Sequence, residues 1–126
     1  MPLLPADEAF LDERGHPYQV VEEGGMTCVI FPDLPLPTGL DHSSASLLLR
    51  LPAGFPDVPP DMWWIDPGVR KADGAVIQGT EAVEAHVGRR WQRWSRHLQA
   101  GQWKSGIDGL ESYVALVHRE LQRAAA

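Results

Sequence analysis

Residues 52–60 read Pro-Ala-Gly-Phe-Pro-Asp-Val-Pro-Pro, four prolines in nine positions. Proline cannot donate to a strand ladder and breaks a helix interior, so this stretch predicts a stiff, extended loop. On its N-terminal side, residues 46–51 alternate, with Leu47, Leu49 and Leu51 pointing one way, as in a half-buried strand. On its C-terminal side, Met62, Trp63, Trp64 and Ile65 form a short bulky apolar run that reads as another strand, closed by Asp66-Pro67-Gly68. Alternation predicts that one of Trp63 and Trp64 faces the core and that the other is harder to bury.

Working outward, residues 26–31 predict a strand with Met26, Cys28 and Ile30 on one face and Thr27, Val29 and Phe31 on the other. Residues 18–22 predict its hairpin partner across Gly24-Gly25, and the order implies antiparallel pairing. The run Pro32-Asp33-Leu34-Pro35-Leu36-Pro37 predicts loop or polyproline-like backbone. Residues 5–14 predict a short helix, with Pro5 in its first turn, Asp7 and Glu8 at its positive end and Gly15 as its stop. Residues 68–87 predict a long irregular segment, of a length often tied to function. Residues 88–99 predict a short helix, because Trp91, Trp94 and Leu98 fall at helical spacing. The final helix is predicted from Asp108 as cap, Glu111 three residues on, and an apolar stripe of Ile107, Leu110, Val114, Val117 and Leu121. The fold class is therefore α+β: an N-terminal helix, a four-stranded antiparallel meander and C-terminal helices.

The chain has 126 residues, 44% of them hydrophobic, which suits a single domain over 1–126 with one core. A net charge of −6 argues against nucleic acid and against an anionic membrane surface as partner. No apolar run reaches the length of a membrane span, and the first ten residues lack the pattern of a signal peptide. Cys28 is the only cysteine, which excludes an intrachain disulfide and a cysteine-based zinc site and suggests a reducing, cytoplasmic setting. The five histidines lack close metal-ligand spacing, and no phosphate-binding or dinucleotide glycine motif is present. No metal and no cofactor is expected.

The order of elements, with Gly54-Phe55-Pro56-x-x-Pro59-Pro60 between the third and fourth strands, resembles the ubiquitin-conjugating fold and its tyrosine-proline-x-x-proline-proline signature. Phe55 stands where tyrosine is usual. Trp103, followed by Ile107 and Leu110, resembles the family tryptophan that precedes the helix after the active site. Nearly the whole chain is similar to a prokaryotic branch of this superfamily, through residues 24–37, 47–67 and 89–110. That resemblance implies a bacterial conjugation pathway, with a ubiquitin-like protein and an activating-enzyme homologue as partners.

The family's catalytic cysteine lies about eight residues before the tryptophan, and Ser95 occupies that place here. His86-Val87-Gly88 stands near the family's His-Pro-Asn motif and matches it in the histidine alone. Aligning Asp73-Gly74 with the family's Asn-Gly instead puts Ile77 in the cysteine slot. Neither alignment supplies a cysteine, and Cys28, mid-strand among apolar neighbours, reads as a core residue. Two functions follow. One is a cysteine-less module that binds a ubiquitin-like protein or its activating enzyme. The other is an unconventional conjugating enzyme that carries the ubiquitin-like protein as an oxyester on Ser95, with His97 or His86 as base. A helical 88–99 segment would point Ser95 and His97 apart. Trp91, Arg93, Trp94 and Arg96 read equally as interface residues and as core anchors with solvated arginines.

Overall fold

Turn chemistry sets where this chain reverses, and alternation sets which side of each strand is buried. The computed structural model describes residues 3–126. Helix α1 (Pro5–Arg14) is followed by β1 (Gln19–Glu23), β2 (Met26–Pro35), β3 (Ser44–Leu51) and β4 (Trp63–Asp66), then β5 (Val83–His86), β6 (Arg89–Trp94) and α2 (Leu110–Ala125). Gly15 ends α1 in the left-handed conformation, and Gly24-Gly25, both at positive φ, turn β1 into β2. One antiparallel sheet contains all six strands in the order β1-β2-β3-β4-β6-β5.

The sheet thus has six strands rather than four. The expected helix over 88–99 is the strand β6, and the expected loop over 68–87 ends in β5. Among the described residues a single helix, α2, follows the sheet, where more than one was expected. The polyproline reading of 32–37 also yields. Strand β2 bulges between Phe31 and Leu34 and then resumes its ladder, pairing Leu34 with Ala45 and Pro35 with Ser44. Proline is tolerated there because β1 pairs only as far as Ile30, so beyond that point β2 has an unpaired edge.

The inner face of the sheet packs on α1 and α2. Its core includes Val29, Phe31, Leu47, Leu49, Trp63, Ile65 and Trp94 from the strands, with Leu11, Leu110, Val114, Val117 and Leu121 from the helices. Ile107 is 79% exposed and does not belong to the α2 stripe. Asp108 does not cap α2 either: its carboxylate accepts from the Lys104 N–H, and the cap residue is Gly109, whose N–H donates to Ser112 Oγ at 3.0 Å. The outer face holds a second, smaller core of Cys28, Ile30, Leu48, Trp64 and Trp91. Both Trp63 and Trp64 are therefore buried, at 0% and 4% exposure.

Among the described residues no helix packs on the outer face. Its cover is the sheet's own curl. Strands β1 and β5 stand at opposite edges of the strand order, yet the Val87 N–H at the β5–β6 turn donates to Glu23 Oε2 at 2.8 Å, at the end of β1. That contact requires the sheet to bend until its two ends meet.

Candidate functional site

The proline loop and the segment between β6 and α2 lie side by side, joined by polar contacts and by a ring pair. Trp103 Nε1 donates to the Pro56 carbonyl at 2.8 Å. Ser105 Oγ donates to Asp57. His97 Nδ1 lies 2.7 Å from Asp61 Oδ1. The Trp103 ring sits between Phe55 and Tyr113, at 6.2 Å from each. Trp103 and the aromatic residue of the proline loop are thus a packed pair in space, 48 positions apart in sequence.

Ser95 follows the last residue of β6, and its backbone N–H donates to the Gly79 carbonyl at 2.8 Å. The stretch from Ser95 to Gln99 has no regular secondary structure. The helical geometry that would have pointed Ser95 and His97 apart is therefore absent. The two line one cavity of about 290 Å³ with Arg96, Gln102 and Glu120. With Nδ1–H donated to Asp61, Nε2 is the nitrogen of a neutral His97 ring that can act as a base. Asp61 had no signal in the sequence: it is a lone acid after a proline pair, and only the fold sets it against His97.

His86 does not join them. It ends β5, opposite Arg89 at the first residue of β6, whereas Ser95 lies past the strand's other end. Its Nε2 lies 3.1 Å from Glu84 Oε1, and its ring packs edge-on against Trp64 at 5.1 Å. Ile77, the alternative occupant of the cysteine slot, is buried in the inner core at 4% exposure.

The Trp-Arg cluster is engaged within the chain. Trp94 is fully buried and stacks on Trp63 at 4.6 Å, while Trp91, 1% exposed, fills the outer core. Arg93 Nη1 donates to Glu84 at 2.8 Å. Arg96 pairs with Glu120, donates to the Gln78 carbonyl and lies over the Trp94 ring at 5.0 Å. Neither indole is presented at the surface. Glu84, which sequence reasoning did not single out, gathers Trp64, His86 and Arg93. Burial alone would raise its carboxyl, but those three hydrogen bonds and the Arg93 charge outweigh it and hold it below the usual range.

Cys28 is 0% exposed in mid-strand β2. Burial pushes its thiol up, against a smaller opposing effect of Arg50. Thiolate is the reactive form, so this cysteine is both inaccessible and unactivated. Among the described residues no group of three or more His, Cys, Asp or Glu side chains is placed to hold a metal ion. No helix of the described chain is long and apolar enough to cross a membrane.

An α+β domain with a curled antiparallel sheet and two helices, its proline loop packed on a tryptophan ahead of the last helix, is an E2-like protein. The family described as Prokaryotic E2 family E matches residues 3–124, and the chain belongs to it. That membership connects the chain to ubiquitin-like protein conjugation. Neither the curated proteins nor the solved structures give a match.

Proposed function

We propose that this chain is a non-covalent module of a bacterial ubiquitin-like conjugation pathway, which binds the ubiquitin-like protein or its activating enzyme. The observation that carries this is the state of Cys28. A thioester carrier needs an exposed, activated thiol, and the one cysteine of the chain lies fully buried in a strand with its thiol pushed up. The decisive assay mixes the protein with a bacterial ubiquitin-like protein, its activating enzyme and ATP. Intact mass is then read for an adduct, and complex formation by size-exclusion chromatography. A complex without an adduct, with the activating enzyme demonstrably charged, is the expected result. An adduct on the chain overturns the non-covalent reading.

One observation favours a second reading: Ser95 and His97 share a cavity, with His97 held by Asp61. In that reading Ser95 Oγ attacks the carbonyl of the thioester on the activating enzyme, and His97 Nε2 takes the hydroxyl proton. The carbon–sulfur bond breaks, the departing thiolate takes the proton back, and an oxyester remains on Ser95. Such an adduct survives thiol reductant, is cleaved by alkaline hydroxylamine and is lost in Ser95→Ala. An adduct that persists in Ser95→Ala removes this reading.

A further inference from the structure

The outer core has an unusual cover. The strands beneath it are ordinary: Cys28 and Ile30 from β2, Leu48 from β3 and Trp64 from β4 form one apolar surface. What closes over it is the β5–β6 hairpin, which brings Trp91 into that surface and Val87 against it. The ladder that joins the hairpin to β4 lies at its base, where Trp63, Trp64 and Ile65 pair with Trp94, Arg93 and Gln92. Beyond that, β5 is an edge strand with Val83 53% exposed. The segments that enter and leave the hairpin, 67–82 and 95–109, are mostly irregular.

The far end is held by a polar latch. Glu23 accepts the Val87 N–H at 2.8 Å and lies 3.8 Å from both His86 Nδ1 and Arg50 Nη2. Glu84 holds Trp64 Nε1 at 2.9 Å and Arg93 at 2.8 Å. Arg89 pairs with Asp66 at 2.7 Å. One feature opposes closure. Arg50 Nε and Arg93 Nε are buried without a hydrogen-bond partner, a loss that water would repair if the hairpin lifted. Apolar burial and the Glu23 latch thus hold shut a hairpin whose closure strands two guanidinium nitrogens.

We propose that the far part of the β5–β6 hairpin, residues 84–91, is a strap that lifts from the outer face as a unit while the inner core, with Trp94, stays folded, baring the surface around Cys28, Leu48 and Trp64. The proposal goes beyond the binding-module reading and does not depend on it.

Cys28 lies beneath the strap and is the chain's only thiol, so its modification by dithionitrobenzoate reports the opening directly. Labelling of the full chain is followed across a urea series beside global unfolding. At low urea the rate is expected to depend on denaturant less steeply than global unfolding and to be faster than global unfolding allows, because the lifted strap exposes only part of the surface that unfolding exposes. Glu23→Ala is expected to raise that low-urea rate by about tenfold, the loss expected for a hydrogen bond to a charged group, and to lower global stability by the same free energy, because the latch is broken in the lifted and the unfolded states alike. In the unsubstituted protein, hydrogen exchange should show the amides of 84–91 exchanging together, ahead of those in β2 and β3. The proposal is overturned by a labelling rate that follows global unfolding at every urea concentration. A low-urea rate unmoved by Glu23→Ala, or 84–91 amides that exchange with β2 and β3, overturns it equally.

Discussion

Asp7 shows how far one side chain departs from its sequence reading. At the start of α1 it looks like an ordinary acidic residue in a first helical turn. In the fold it is 9% exposed, and its carboxylate accepts from the backbone N–H of Leu110, the first residue of α2, while Oδ2 is buried without a partner. It caps the second helix from the first. Burial raises its pKa above the ordinary value and outweighs that hydrogen bond. A raised acid binds its proton more tightly in the folded state, so its contribution to stability falls as pH rises through that window. Asp7→Asn keeps an acceptor for Leu110 and removes the buried charge. We expect the variant to have the higher urea midpoint at pH 7, with the difference shrinking as pH falls through the acid range. A lower midpoint at pH 7 would mean that the charge at the α2 terminus outweighs its burial.

The β5–β6 hairpin explains why the sequence misleads at the scale of elements. Trp91 and Trp94 stand three apart, which is helical spacing. In a strand, an odd offset puts them on opposite faces. Both are buried because both faces of this sheet are covered, the inner one by helices and the outer one by the curl. Periodicity cannot distinguish a helix stripe from a strand buried on both sides, and the same ambiguity hid the burial of both Trp63 and Trp64. By contrast β1, β3, β4, α1 and the first half of β2 were legible within two residues at each end, because glycine turns, proline breaks and clean alternation mark them. The candidate site was legible only in part. Ser95 followed from counting back from Trp103, whereas Asp61 and Glu84 meet their partners through loops and strand pairings that no local pattern records. The double burial has a measurable consequence for β6. Trp94→Ala removes a stacked indole that also donates from Nε1 to Gln92 Oε1 at 3.0 Å. We expect a loss of about 3–5 kcal/mol in urea unfolding. Ile107→Ala, at a site the sequence reading had placed in the core, should change stability by less than about 0.5 kcal/mol. Equal losses would contradict the packing described here.

At the scale of the whole molecule, one curled sheet separates two cores, and the inner one depends on two helices of different length meeting over it. A polar contact joins those helices: Arg14 Nη2 lies 3.0 Å from His118 Nε2. Arginine can only donate, so Nε2 is the acceptor and the imidazole is neutral with its proton on Nδ1. Glu13 and Glu111 line the same groove and would favour an imidazolium. Even so, burial foremost, and then the Arg14 charge, lower the His118 pKa. A lowered histidine takes up its proton more readily when unfolded. The contribution of the neutral contact is therefore complete above the ordinary histidine value of 6.5, and it is lost as pH falls from there through the depressed folded value. Glu84, held below the usual range, loses its contribution only further into acid, so the two effects separate along the pH axis. We expect the urea midpoint to fall between about pH 7.5 and pH 5.5, a window chosen to span the histidine range. His118→Gln, whose amide oxygen can still accept from Arg14, should reduce that fall. An identical fall in both proteins would assign the pH dependence to groups other than the helix contact.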